Sequence, residues 1–163
     1  SLLSTVGLGI INFTFTLLAM NFIDRIGRRT LMLIGSVGLI LTLGMVSYSF
    51  YAVSFNGWAV PVFLFIYIAF FAFSQGSVIW VFISEIFPNQ VRAKGQTLGS
   101  ATHWIMAALI AFSFPYLAEK AGGGNTFLFF SIMMCIQLIF VWKVMPETNG
   151  KSLEQIEHTL LLH

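Results

Sequence analysis

The stretch "WVFISEIFPNQVRAKGQ", residues 80–96, brings together a carboxylate (Glu85), a guanidinium (Arg92), an ammonium (Lys94) and a proline (Pro88). It follows 55 residues, 30–84, without one formal charge. Pro88 makes a continuous helix through Glu85 and Arg92 unfavourable, because its ring removes a backbone donor and clashes with the preceding turn. A turn there would fold Arg92 back towards Glu85 and allow an ion pair. "DRIGRR" (24–29) supplies three more guanidiniums, Arg25, Arg28 and Arg29. Arginine grips a carboxylate with two parallel donors, which lysine cannot do. Such a pair can act as a latch that differs between two states of a protein. Charged heads at span ends also act as topology signals, and spacing alone leaves the two readings level.

A second set of side chains could bind a small molecule. Trp80 shares a helix face with Phe73 and Gly76, at spacings of seven and four. Gly76 and Ser77 can weaken the helix there. His103 and Trp104 form a polar pair well inside an apolar run, where an ionisable side chain usually faces a bundle interior or a water-filled cavity. A histidine bonded to a neighbouring helix would have the same surroundings in sequence, so binding and packing both stand for His103.

Other chemistry finds no support. His103, His158 and His163 lie at different depths or in the tail, so no metal set is expected. No Ser/His/acid group shares a side and depth, and Glu85 and His103 are separated by Pro88 and a loop. An enzyme is therefore not expected, nor a cofactor. Gly122–Gly124 reads as a short outer loop and not as a phosphate cradle. Cys135 is the one cysteine, which excludes an intrachain disulfide framework.

The elements that hold these residues are set by composition. Of 163 residues, 58% are hydrophobic and 9% charged, and 18 are phenylalanine. A water-soluble domain of this size could not hide so much apolar surface, and an ordinary one is about a quarter charged. The solvent must be lipid. A net charge of +2 is too small to suggest a nucleic-acid partner, and the basic residues cluster near span ends instead of forming one patch, so none is expected. Uncharged runs predict five helical spans, at about 2–22, 30–53, 59–84, 97–118 and 125–143. "SFNGW" (54–58) is the turn signal between the second and third. Strand alternation is absent, which argues against a β-barrel. Residues 1–145 are thus read as membrane helices and 146–163 as a tail.

Lysine and arginine counts give the expected orientation. The loops 24–29 and 85–95 and the tail carry seven basic residues, against Lys120 alone on the other side. The former side is expected in the cytoplasm, with the chain starting outside and a crossing missing upstream. In the tail, Ser152 and Gln155 make a capping box, and Leu153, Ile156 and Leu160 form one apolar face of a short helix. Within the spans, Asn12, Thr14, Thr16 and Gln137 are expected to bond neighbouring helices, and Gly95 and Gly99 to allow close helix packing.

"DRIGRR", "WVFISEIFPNQVRAKG" and "PETNG", in this order and spacing, together resemble the sugar porter family of the major facilitator superfamily. The likeness runs from the eighth of twelve helices to the tail and covers essentially all of the chain. It is similar to bacterial proton–sugar symporters and animal glucose facilitators. The resemblance implies an all-α membrane transporter working by alternating access, with this chain a fragment that lacks its amino-terminal half. Its partners would be a sugar (hexose or pentose), the lipid bilayer of the cell or inner membrane, and protons. Gly76, Trp80, His103, Trp104 and Phe71 match sugar-site positions in this family. Phe71 lies opposite Trp80 on an ideal helix, so only a broken third span would bring both to one cavity. Arg28, Glu85 and Arg92 match a cytoplasmic ion-pair gate, joined by Glu147.

Three departures stand out. His103 replaces the family's usual amide, which leaves the substrate open to a cyclic polyol or an organic acid. Ser77 replaces a proline, which removes the ring that would break the helix. Asn149 stands where lysine is common, a change expected to matter little. A non-transporting sugar sensor is the other alternative; the short tail argues against it.

Overall fold

A computed structural model describes residues 2–52, 58–152, 154–156 and 158. Its helices are α1 Leu2–Ile26, α2 Arg28–Tyr51, α3 Ala59–Phe73, α4 Gln75–Ile86 and α5 Arg92–Lys143. Among the described residues there is no strand. Lipid offers a backbone no hydrogen bonds, so an uncharged apolar run must satisfy its own amides, and a helix does this within one segment.

Four stretches are long and apolar enough to cross a membrane: α1, α2, α3 with α4, and α5. With 52 residues, α5 would be about 78 Å long if straight, well beyond the ~30 Å hydrocarbon core. It is not straight. Gly122 has φ 80° and ψ 155° inside it. Phe114 and Phe130 stack with ring centroids 6.2 Å apart, where 16 residues of straight helix would separate them by about 24 Å. The chain therefore reverses at Gly122, and α5 is two arms, each long enough for one crossing. That makes five segments of membrane-crossing length among the described residues.

The connections are tighter than the span boundaries suggest. The loop 24–29 shrinks to Gly27, whose φ of 95° separates α1 from α2. Between the two arms of α5 the loop shrinks to Gly122, and the first arm begins at Arg92, five residues before the predicted span. Charged residues at a span end stay helical because long basic side chains reach back to water while their backbone remains in the helix. Most of "SFNGW" lies outside the described residues, as do Leu153 and Leu160 of the tail. Ser152 and Gln155 do form the capping box: the Ser152 N–H donates to Oε1 of Gln155 (3.0 Å), and the Gln155 N–H to Oγ of Ser152 (3.3 Å).

The buried helix is α2. Leu31, Leu39 and Val46 on it are fully buried, whereas α1 buries only Ala19 and Ile23. Small residues on α2 let its neighbours approach. The ring of Phe70 occupies the place of any side chain at position 38, and Ser74 that of any at position 35. The second arm of α5 is tied to α2 by Ser47 Oγ donating to the Gly124 carbonyl (2.7 Å) and Ser131 Oγ to that of Ile40 (3.0 Å). Ile23, Leu31, Met32, Val78, Val141 and Met145 close the core beneath the charged end. Gly95 and Gly99 behave as a close-packing pair, with Phe87 over the first and Ile83 against the second. Among the described residues Asn12, Thr14 and Thr16 do not bridge helices: Thr14 bonds the Ile10 carbonyl and Thr16 bonds Asn12, both on α1. Hydroxyls on a helix satisfy themselves on the preceding turn when no partner is near.

Candidate functional site

The charged end is built around the start of α2. Helix starts leave backbone N–H groups without partners and carry a partial positive charge, so a carboxylate is favoured there. Glu147 supplies it. Its Oε1 accepts the Arg28 N–H at 3.0 Å and its Oε2 the Arg29 N–H at 3.1 Å. Oε1 also accepts the Asn149 N–H at 3.0 Å, which holds the "PETNG" turn against the helix. Gly27 makes room for it, since a Cβ there would lie 2.6 Å from Oε2 of Glu147. Glu147 thus acts as a helix cap, and no guanidinium pairs with it among the described residues.

The Arg28 side chain turns the other way. Its Nε and Nη2 donate to the two oxygens of Glu85, at 3.0 and 2.7 Å, the two-pronged geometry that only arginine offers. Nη1 donates to the Ile23 carbonyl (3.2 Å) and Asn149 Oδ1 (3.0 Å), and lies 2.9 Å from Asp24 Oδ1 as an ion pair. The Thr148 hydroxyl completes Glu85 at 2.6 Å. Asn149 Nδ2 reaches the Asp24 carbonyl at 3.0 Å. Arg28 is buried, and α1, α2, α4 and the tail all meet on it. Asn149, expected to matter little, is a bridge: its amide both accepts from Arg28 and donates to α1, which a lysine could not do. Thr148 was missed from sequence, since a threonine beside a glutamate carries no signal of its own.

Arg92 and Glu85 do come together, without pairing. Both line one polar cavity of about 390 Å³, with Arg28, Gln96, Thr148 and Lys151. Among the described residues no ion pair joins them, because Arg28 and Thr148 already fill the Glu85 carboxylate. Arg92 Nε is buried and has no acceptor there.

The aromatic set also assembles. Trp80 on α4 meets His103 on the first arm of α5 at 5.0 Å between centroids, with planes at 68°. His103 meets Trp104 at 5.5 Å and 83°, and the two indoles lie 6.5 Å apart. Trp80 is 39% and Trp104 63% exposed, so the cluster opens on the outer face of this bundle.

The third span is broken, although Ser77 stands where a proline ring would have broken it. The break falls at Ser74, with φ −114° and ψ −90°. Hydroxyls satisfy the carbonyls it disturbs: Ser74 Oγ donates to that of Phe70 (2.6 Å) and Ser77 Oγ to that of Ala72 (2.9 Å). In lipid a helix can be interrupted only where such replacements exist. The break carries Phe71 onto Gly76, whose Cβ would lie 3.2 Å from its ring. Phe71 thus packs on Gly76, one turn from Trp80. Beside the break, Gln75 donates to Gln137 of the second α5 arm at 2.8 Å. Gln137 is thus an interhelix bond as expected. Gln75, an amide in the apolar run "FAFSQGSVIW", is the signal that went unread.

Known proteins share this fold. The D-xylose-proton symporter of Escherichia coli (strain K12) is 36% identical across 96% of this chain, which spans 33% of that protein. A glucose transport protein of Synechocystis sp. is 35% identical over 96% of the chain and 36% of its own length. The inward-open xylose transporter XylE of E. coli superposes with a TM-score of 0.90 at 35% identity, covering 97% of this chain and 36% of that one. The chain therefore spans about a third of the length of the curated relatives it matches. The model of the family described as "Sugar (and other) transporter" matches residues 1–160, and this integral membrane chain belongs to that family.

Proposed function

We propose that this chain forms the carboxy-terminal part of a transporter that moves a hexose or pentose across the cell membrane by alternating access, in symport with protons. The observation that carries the reading is the cluster of Trp80, His103 and Trp104 on an open face beside a broken helix. Indoles cover the apolar face of a sugar ring, while an imidazole bonds its hydroxyls. Phe71 and Gly76 complete the wall. The amino-terminal half of the same transporter closes the site from the other side. Loops 24–29 and 85–95 and the tail face the cytoplasm, which puts Arg28, Glu85, Arg92 and Glu147 at the inner gate. Arg28, Glu85 and Glu147 lock this part together, and Arg92 is the group left to take an acceptor from the opposite half. Such a latch shifts populations only because its bonds differ between the inward and outward states. Residues 1–145 form the membrane unit and 146–163 the cytoplasmic tail.

The test is uptake of labelled hexoses, pentoses and polyols by the full-length parent in proteoliposomes, with and without a proton gradient. Saturable sugar uptake, raised by an inward proton gradient, is expected. Saturable uptake of none of these solutes would sink the reading.

A further inference from the structure

We infer that Gln75 and Gln137 are positioning residues for Trp80: the bond between their amides fixes the rotation of α4 about its own axis and so aims the indole at the first arm of α5. That Trp80 meets a sugar there rests on the reading above, whereas the aiming itself does not.

The backbone leaves this rotation open. Ser74, with φ −114° and ψ −90°, interrupts the helix immediately before Gln75, the first residue of α4. A continuous helix would hand the orientation of α3 on to α4 through its ladder of backbone bonds. Here the hydroxyls of Ser74 and Ser77 take up the Phe70 and Ala72 carbonyls instead. Apolar packing is non-directional, and on one side of α4 it is incomplete. A cavity of about 280 Å³ lies between α4 and the second α5 arm, lined by Val78, Ile79 and Phe82 on one and by Phe140 and Val141 on the other. Interiors are normally packed without such voids, and side chains that face one lose contacts. On that side α4 has room to roll.

Gln137 lines the same cavity, and its Oε1 accepts from Nε2 of Gln75 at 2.8 Å. Nε2 also lies 3.9 Å from Sδ of Met134 on the same arm. A hydrogen bond weakens steeply when bent, so this one resists rotation in a way that hydrocarbon contacts do not. Trp80 follows five residues later, about 7.5 Å along α4 and about 140° around it. The tether thus holds the back of the helix whose front carries Trp80, 5.0 Å from His103 between ring centroids. Once the bond is lost, a roll of α4 into the cavity turns the indole away from the imidazole.

The test uses the full-length parent labelled with fluorotryptophan, in which the Trp80 fluorine resonance is the one missing from Trp80→Phe. The main variant changes Gln75 and Gln137 together to leucine, which removes the bond without leaving an orphaned amide. Ser47→Ala unties the same α5 arm from α2 near the Gly122 reversal, and is the control for a loss of stability alone. The Trp80 resonance is expected to shift or broaden in the double variant and to stay in place in Ser47→Ala. An unchanged resonance in the double variant, or an equal change in both proteins, overturns the tether. With D-xylose and D-glucose as probes, the dissociation constant is expected to rise about fivefold in the double variant and to stay within about twofold in Ser47→Ala. A wild-type dissociation constant in the double variant overturns the link to the sugar. If wild type binds neither probe while the resonance still moves, the sugar reading falls and the tether stands.

Discussion

The side chain of Ser74 fills the space in which any side chain at position 35 would begin. The break between α3 and α4 is thus seated directly on the backbone of α2. Gly35→Ala forces two side chains into one place, and overpacking of this kind costs about 1–3 kcal/mol. Ser74→Gly in the same protein vacates the seat, and the Ser74 Cα would then lie 3.7 Å from the new methyl, an ordinary contact. Thermal unfolding of the full-length parent in detergent should show a lowered midpoint for Gly35→Ala. The double variant should recover most of it.

Arg28→Lys keeps the charge and loses the fork. It gives up the paired bonds to Glu85 and the reach to Asn149 and Ile23, so a loss of about 2–3 kcal/mol is expected, hydrogen bonds to charged groups being worth roughly 1.5–3 each. Asn149→Ala should cost about 1 kcal/mol, since it removes one bond to Arg28 and one to α1. Denaturant titrations of the two variants check the ranking. A lysine at position 28 that matched wild type would show that the fork contributes nothing.

The Gln75–Gln137 bond invites a double-mutant cycle. Either residue changed alone to leucine leaves an unpaired amide, buried Gln75 or half-buried Gln137, at a cost of about 1–3 kcal/mol. Changing both removes the orphan along with the bond. The double variant should therefore lose less than the sum of the singles, by about 1 kcal/mol or more. Strict additivity would mean that the two amides do not depend on each other.

For the sugar site, Trp80→Ala and His103→Ala should each raise the dissociation constant of the transported sugar at least about tenfold, a loss of ~1.4 kcal/mol. Trp80→Phe keeps an aromatic face and should lose less. Membrane insertion and yield should not change, because the cluster lies on an open face of the bundle. Isothermal titration on the purified parent decides it; unchanged affinity in both alanine variants removes these residues from the site.

Apolar length made the crossings legible, because lipid reads hydrophobicity almost directly. The charged stretches were legible as a cluster but not as a wiring diagram. Glu85 stands only seven residues from Arg92, yet the packed positions of α2 and the tail give it to Arg28. Glu147 was expected among the ion pairs and turned out to cap a helix, a choice set by backbone donors that no side-chain pattern displays. The break at Ser74 escaped because proline is the usual marker. Here a close seat on Gly35 and two hydroxyls replace the ring. Asn149 was expected to matter little, whereas its amide bridges Arg28 and α1.

The single-residue reversal at Gly122 leaves the two arms of α5 with no slack. One arm carries His103 and Trp104, and the other carries Gln137, bonded to Gln75 beside the break. A long connecting loop would let either arm twist freely. With one residue between them, the two arms are held side by side, so one connection sets the place of both the Trp80–His103 contact and the Gln75–Gln137 bond.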